Sequence, residues 1–558
     1  MVSDKKVIQR IVSIFAKKGI KHIVVSPGSR NAPIVQTFHG HGGFELHSIP
    51  DERTAGFFAL GIAMKTRKPV VLNCTSGSAL LHYGPALVEA YYQNIPLIVL
   101  SADRPVHLID QGHGQSMRQS NVYQNYVKAS LQIDENHSSQ PWFLDSKINE
   151  VLSHTSGEDE GPVHINLPLD EPLYDFEESI KEEVRVIHYP LFQKSLLPET
   201  RERLKKEWNQ HDRIMILVGQ HPPRNQLNRW LKIMAEKKNV VILTEHTSNV
   251  HGDFFRITNI DRCIFSLDAD SWEDYKPDLL ITMGKEIVSK RIKQLLFRAD
   301  GLKHWHIGKN VDHRDTFAAL TEILRIPPAD FLSAIHDFDA KSTSYIHLWK
   351  NRSAEAKEKH VKYLEQTEWS DLKAWDFIIS QLPDHLTLHL GNSASVRYSL
   401  LFDIPMSVDH YSNRGVSGID GSTSTALGYA TVEKEEEVWL ICGDISFLYD
   451  RNALWMTPQP KNFKIIVINN AGGGIFRFID GPSRTEVSER FLETQHRGNV
   501  KNSVLDAGVA MYSAADMDEL TNIFPKFAQS PAMAVLEIHT PREVNDRILK
   551  NYFKNLTS

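Results

Sequence analysis

Cysteine is almost missing from this chain: Cys74, Cys263 and Cys442 are the only three among 558 residues. They are widely separated, and Cys74 and Cys442 fall in apolar runs, so the pattern excludes a disulfide framework and reads as reduced core thiols in a cytoplasmic protein. Long hydrophobic runs are missing too. Nothing approaches the roughly 18 apolar residues that span a bilayer, which argues against membrane insertion. The polar start from Met1 to Arg10 lacks the apolar core of a secretory signal. Positive charge is not in excess either: 63 Lys and Arg stand against 69 Asp and Glu, a net charge of -6. Without a global basic field, nucleic acid is not an expected partner, and any anion must be held by local Arg and Lys. Finally, the turns Gly219-Gln220 and Gly284-Lys285 lack the Gly-x-Gly-x-x-Gly pattern of a dinucleotide fold.

What is present is material for several cores, at 41% hydrophobic residues. Continuous apolar runs such as Ile214 to Val218, Val240 to Thr244, Leu279 to Met283 and Val438 to Cys442 have the character of parallel strands buried on both faces. They alternate with helical stretches, so the fold class expected is α/β. Three domains are expected, at residues 1–180, 190–345 and 365–558. The first ends in the strand within Gly161 to Pro168 and an acidic linker, and the second ends near the Lys-rich helical stretch from Ser342 to Glu368.

The chain also repeats itself. Ala59-Leu60-Gly61, the strand Pro69 to Cys74 and Gly77 recur as Ala426-Leu427-Gly428, a strand to Cys442 and Gly443. Leu97 to Asp103 then stands to Gly77 as Ile465 to Asn469 stands to Gly443. Three matched elements in register predict that the first and third domains share one topology.

In the third domain the strand ending at Gly443-Asp444 is followed by a helical stretch and a second strand ending at Asn469-Asn470, then Ala471-Gly472-Gly473-Gly474. A right-handed crossover makes these strands parallel and brings Asp444 and Asn470 to carboxyl ends, where open α/β sheets bind ligands. One carboxylate, one amide oxygen and a backbone carbonyl near Gly472 suit magnesium, which takes few protein ligands and leaves the rest to phosphate and water. In the first domain, Ser26-Pro27-Gly28-Ser29-Arg30 joins a strand to a helix, an arrangement that offers backbone donors and a forked guanidinium to an anion. Asp51-Glu52-Arg53 opens the next helix, where acidic residues are common for dipole reasons alone.

The Gly-Asp and Asn-Asn pair resembles the diphosphate-side motif of thiamine diphosphate enzymes. Ser26 to Arg30, Asp51 to Arg53, Thr75-Ser76-Gly77, Ala102-Asp103-Arg104-Pro105, Gly391-Asn392-Ser393 and Ser412 to Gly421 together resemble the menaquinone-pathway synthases of that superfamily. The resemblance implies three doubly wound α/β domains, with the first gripping the cofactor's aminopyrimidine and the third its diphosphate. It implies thiamine diphosphate and Mg2+ (or Mn2+) as cofactors, with Asp444, Asn470 and Gly472 on the metal. Glu52 would hydrogen-bond the aminopyrimidine and activate the cofactor, and Ile419 would wedge beneath it. The other cofactor contacts would be Gly391, Asn392, Ser417, Gly418, Gly443, Ile445, Ser446, Ile475 and Phe476.

The same resemblance implies decarboxylation of 2-oxoglutarate and 1,4-addition of the remaining fragment to isochorismate, in a cytoplasmic homodimer or dimer of dimers whose active sites lie between subunits. Two dicarboxylate substrates call for cations. Arg30 and Arg414 are the candidates for oxoglutarate; Lys290, Arg291, Ser393 and Arg397 match isochorismate contacts; and Ser29, Arg104 and Gln115 complete the substrate set. Two positions depart from the family pattern: Ile445 where many superfamily members have Gly, and Gly114 where the family often has Asn. Another thiamine diphosphate-dependent 2-oxo acid decarboxylase or acetolactate-type synthase also fits the motifs, with Lys290, Arg291 and Arg414 as discriminators. A regulator that kept the fold after losing the chemistry is opposed by the presence of Glu52, Asp444 and Asn470.

Overall fold

The computed structural model describes residues 1–190, 192–311, 313–478, 487 and 491–557. The first stretch of chain contributes β1 (Val2–Ser3), β2 (His22–Val25), β3 (Glu45–Ser48), β4 (Val70–Cys74), β5 (Leu97–Asp103), β6 (Ala129–Gln132), β7 (Val163–Pro168) and β8 (Phe176–Glu177). The middle contributes β9 (Ile214–Val218), β10 (Val240–Thr244), β11 (Leu279–Met283), β12 (Lys303–Ile307) and β13 (Leu320–Leu324). The last contributes β14 (Leu386–Leu390), β15 (Asp409–Tyr411), β16 (Glu437–Gly443), β17 (Phe463–Asn469), β18 (Ala510–Ala514) and β19 (Ala534–His539).

These strands form three larger sheets, and the expected duplication is there. The first has the order β3-β2-β4-β5-β7-β6 and the last β15-β14-β16-β17-β19-β18, so adding twelve to each strand number of one gives the other. The middle sheet, β10-β9-β11-β12-β13, is parallel throughout. Its strands β9, β10 and β11 are buried on both faces, as their apolar runs demand: in β9, Ile214, Ile216 and Val218 join the core on one side and Met215 and Leu217 the core on the other. The acidic segment after β7 is mostly irregular, and its one short strand, β8, pairs antiparallel with β1. Among the described residues no helix is long and apolar enough to cross a membrane.

By internal contacts the chain resolves into two compact units. One holds β1 to β8 together with Asn413–Val438 and Tyr449–Phe463; the other holds the middle sheet and the remainder of the third. In the first unit the two Ala-Leu-Gly copies meet. The helix Glu52–Thr66 lies against the helix Ser422–Val432, and both are buried along nearly their whole length. A methyl group on Gly61 would overlap the carbonyl of Thr425, and one on Gly428 would overlap the carbonyl of Phe58. Each glycine therefore admits the opposite backbone, and the repeat is the mark of this crossing. Gly61→Ala is expected to destabilise the protein by about 3 kcal/mol or more, since the clash is with backbone and cannot be relieved by a rotamer change. Urea unfolding of the variant beside the wild type checks this.

The same unit buries a carboxylate. Asp450 accepts hydrogen bonds from Ser424 N at 2.7 Å and Ser424 Oγ at 2.6 Å, and burial pushes its pKa up to about 6. The folded state therefore binds the proton more tightly than the unfolded state, so stability falls as pH rises from about 4 to about 6. The loss is on the order of 3 kcal/mol. Asp450→Asn is expected to flatten that part of the stability profile, read by denaturant unfolding across the interval.

Candidate active site

In the first unit the residues around Glu52 are tied down on both sides. Asp51 caps the helix, accepting from the backbone N–H of Arg53 and Thr54 at 3.0 and 3.2 Å, and its other oxygen takes a bond from Asn452 at 2.7 Å. Arg53 donates to the Tyr449 carbonyl at 2.6 Å and lies over the Tyr449 ring. Glu52 itself is half-buried, and among the described residues its carboxylate makes no hydrogen bond or ion pair. Its field reaches the buried Cys74 thiol and Tyr83 hydroxyl, both pushed up chiefly by burial. A carboxylate held in place by its neighbours and left without a partner is suited to an external hydrogen-bond donor.

The segment Asn413 to Gly421 is organised by Glu89, a residue the sequence reading did not single out. Buried to 1% exposure, Glu89 accepts from the backbone N–H of Gly415 at 2.6 Å and Val416 at 2.8 Å, and it lies in the field of Arg414. Arg414 is 7% exposed. Ser417 has φ +62°, and Ile419 is only partly buried, so its apolar side chain is not consumed by the core. Gly421, at φ +73°, has no room for a Cβ against the Phe57 ring.

Two further cations of this unit are Arg30 and Arg104, and the charge of Arg104 reaches Arg30. Arg30 is 5% exposed, donates to the Leu169 carbonyl at 2.8 Å and pairs with Glu171 at 3.1 Å. Its pKa is lowered, first by burial and then by Arg104. Arg104 donates to the Gly114 carbonyl at 3.1 Å. Gly114 has open space where a side chain would project, so the departure there leaves room that an Asn would fill. Ser29 is exposed just before Arg30, and Gln115, exposed at φ +53°, lies beside Gly77.

In the second unit Asp444 follows β16 directly and is 2% exposed. Its Oδ1 accepts from Ile445 N at 2.7 Å; its Oδ2 accepts from Gly472 N at 3.0 Å and faces His496 Nε2 at 3.0 Å. The carboxylate raises the pKa of His496. Asn470 comes just after β17 and donates its amide nitrogen to Asp371 at 3.0 Å, which leaves its oxygen as the atom available to a cation. Asp371 is itself fixed by Thr540 at 2.6 Å and pushed up to about 6 by burial. Ala471 at φ +60° and Gly472 at φ +156° turn the chain so that the Gly472 amide reaches Asp444. The set therefore fits a hard cation: one anionic oxygen, one oriented amide oxygen and a glycine turn. Gly443 and Ser446 flank Asp444, while Ile475 and Phe476 open the short helix Ile475–Phe478 just beyond the glycines.

The remaining predicted residues are placed unevenly. Gly391, after β14, donates to Ile441 O at 2.8 Å and has no room for a Cβ against Cys442; Asn392 beside it is buried. Ser393 has φ +70°, and its carbonyl accepts from Arg397 Nη1 at 2.5 Å. Arg291 spends its guanidinium on the carbonyls of Ile264 at 3.1 Å and Leu267 at 2.9 Å, over the Phe265 ring, while Lys290 is exposed at the start of the same helix. Arg291 and Arg397 nevertheless meet in the field of one buried carboxylate, Asp261.

The duplicated sheets, with a Glu52 that has no hydrogen bond or ion pair among the described residues and an Asp444–Asn470 pair that fits a cation, are those of a thiamine diphosphate-dependent enzyme, as the comparisons with known proteins show. The family models agree: the N-terminal TPP binding domain of thiamine pyrophosphate enzymes matches residues 5–122, and the C-terminal TPP binding domain matches 397–538. Curated proteins named 2-succinyl-5-enolpyruvyl-6-hydroxy-3-cyclohexene-1-carboxylate synthase are similar along the whole length. That of Flavobacterium psychrophilum is 42% identical, covering 98% of both chains. That of Porphyromonas gingivalis is 37% identical over 99% of this chain and 97% of its own, and that of Bacteroides thetaiotaomicron 35% over 100% of each. The chain belongs to the 2-succinyl-5-enolpyruvyl-6-hydroxy-3-cyclohexene-1-carboxylate synthase family.

Proposed function

We propose that this chain catalyses the reaction its relatives are named for: decarboxylation of 2-oxoglutarate and 1,4-addition of the resulting four-carbon unit to isochorismate, in menaquinone biosynthesis. The observation that carries the reading is the Glu52 carboxylate, flanked by the anchored Asp51 and Arg53 and, among the described residues, without a hydrogen bond or ion pair of its own. Bound thiamine diphosphate would supply an electron sink for the carbon–carbon bond that breaks when carbon dioxide leaves. Glu52 would hold the aminopyrimidine by a hydrogen bond; Asp444, the Asn470 amide oxygen and the Gly472 carbonyl would hold Mg2+ or Mn2+ against the diphosphate. Gly391, Asn392, Ser417, Gly418, Gly443, Ile445, Ser446, Ile475 and Phe476 would complete the cofactor's surroundings, with Ile419 under its bend.

The substrates are dianions, and the chain meets them with buried guanidiniums. The charge of Arg104 adds to burial in lowering the pKa of Arg30, and an anion bound beside the Arg30 fork would relieve that repulsion. Arg30 and Arg414 would hold the oxoglutarate carboxylates, Lys290, Arg291, Ser393 and Arg397 would receive isochorismate, Ser393 and Gln115 would guide proton transfers, and Ser29 and Arg104 would complete the substrate set. Exclusion of water matters here, because protonation of the decarboxylated fragment would release succinic semialdehyde in place of the adduct. The reading carries with it three domains, at 1–180, 190–345 and 365–558, in a cytoplasmic homodimer or dimer of dimers.

Purified protein with thiamine diphosphate, Mg2+, 2-oxoglutarate and isochorismate is expected to form a product with the mass of isochorismate plus the decarboxylated four-carbon unit, seen by mass spectrometry. Succinic semialdehyde alone would reject the acceptor, and unconsumed oxoglutarate would reject the donor.

A further inference from the structure

At the end of the first sheet away from Glu52, three ligand-type atoms converge. His22 and Glu45 are the opening residues of β2 and β3 and lie opposite each other in register; His47 follows two residues along β3, on the same face. His22 Nδ1 is 3.3 Å from His47 Nε2 and 3.4 Å from Glu45 Oε2, and all three atoms lie within 4.8 Å of one another. We propose that His22, Glu45 and His47 form a binding site for a divalent transition-metal ion of the zinc type, separate from the cofactor's metal.

The separations carry the argument. Zinc with nitrogen and oxygen ligands at about 2.0–2.1 Å in a tetrahedron sets neighbouring ligand atoms about 3.4 Å apart. That is long for a hydrogen bond between two imidazoles and suits two ligands sharing an ion. The donor set selects the metal class, since paired imidazoles with one carboxylate favour zinc and its neighbours over magnesium or calcium. The groups are also held ready. His22 is 7% exposed, the two imidazoles stack at 5.6 Å, and the His47 ring meets Phe58 edge-on. Lys21 takes the other Glu45 oxygen at 2.7 Å, which leaves Oε2 turned to the histidines. Burial keeps both imidazoles below their usual pKa, so they are neutral and have lone pairs to give near pH 7.

The site has work to do in the fold. β3 is the edge strand of its sheet, only four residues long and without one fully buried side chain. Its chain runs on through Ile49 to Asp51 and Glu52. An ion bridging β2 to β3 would fasten the strand that delivers Glu52, with water in the fourth position.

The test uses full-length protein stripped with EDTA, then saturated with Mg2+ and thiamine diphosphate so that the Asp444 site is occupied. Calorimetric titration with Zn2+ is expected to show one equivalent bound per chain and a thermal midpoint raised by the ion. Co2+ in its place is expected to give the visible absorption of tetrahedral cobalt with nitrogen ligands. His47→Gln is expected to abolish the binding. Glu45→Gln, at a half-exposed side chain, is expected to weaken it at least tenfold while leaving the metal-free thermal midpoint close to wild type. Absence of saturable Zn2+ binding to the wild type overturns the proposal, and so does binding of equal affinity in Glu45→Gln and His47→Gln.

Discussion

Glu52→Gln is expected to lower kcat by about a thousandfold while leaving folding and cofactor affinity close to wild type. The substitution is nearly isosteric, and what surrounds it is held by other residues. Asp51 supplies the cap through its own carboxylate, and Arg53 anchors the helix start to the Tyr449 carbonyl. The amide loses a favourable charge at a helix N-terminus, which costs about 0.3–1 kcal/mol of stability. It keeps the shape of the carboxylate but not its charge or its basicity, and with these Glu52 would hold the aminopyrimidine by a hydrogen bond and help bound thiamine diphosphate to supply its carbanion chemistry. The effect should fall on kcat, with the calorimetric affinity for thiamine diphosphate and Mg2+ changed by less than about tenfold, because the metal and diphosphate are assigned to other residues. Turnover near the wild-type rate in Glu52→Gln would remove this residue from the mechanism. Loss of turnover through failed cofactor binding would instead make Glu52 a binding residue.

Some of this was written in short stretches of sequence and some was not. The strands Ile214–Val218, Val240–Thr244 and Leu279–Met283 were readable to the residue, because a strand buried on both faces is almost wholly apolar, and a polar residue inside one, such as Thr282, must find a partner there. The duplicated topology was readable from three matched elements, and the structure adds why one of them recurs: Gly61 and Gly428 face each other's helix backbones. Asp444 and Asn470 were readable as ends of adjacent strands. Their supports were not. Asp371 orients Asn470 from 99 residues away, His496 meets Asp444 across 52, and Glu89 holds Gly415 across 326. No local spacing encodes such pairs, and an isolated Asp or Glu on a helix reads as a solvated face until the fold shows it buried. Glu493 is the same case: at 2% exposure it pairs with Arg477 and Arg542 beside the glycine turn. The surroundings of the basic residues were not legible either, since a sequence shows a cation but not what it already holds. Arg291 was expected at substrate, and its guanidinium is engaged by two backbone carbonyls, which leaves it to act through charge and position more than through a free fork.

Asp444→Asn is expected to weaken Mg2+ and thiamine diphosphate together, each by at least about a hundredfold, or about 2.7 kcal/mol. The carboxylate stands at the meeting of two backbone donors, Ile445 N and Gly472 N, and faces His496. An amide can offer only one acceptor oxygen to this group, so its NH2 must be turned toward a donor, and the glycine turn that carries Gly472 loses its anchor. The anionic charge is lost as well, and it is what draws a divalent cation out of water. Because Asp444 and the diphosphate would share the ion, the coupling is reciprocal: raising Mg2+ should recover part of the cofactor affinity, and raising the cofactor should recover part of the metal affinity. Asp371→Asn makes the contrast. Asp371 orients the Asn470 amide without itself being placed on the metal, and removal of such an outer partner costs about 10–100-fold in affinity. A titration series over both variants therefore orders them: Asp444→Asn weakest, Asp371→Asn intermediate, wild type tightest. If Asp444→Asn binds as tightly as Asp371→Asn, the carboxylate only braces the turn and the cation takes its ligands elsewhere.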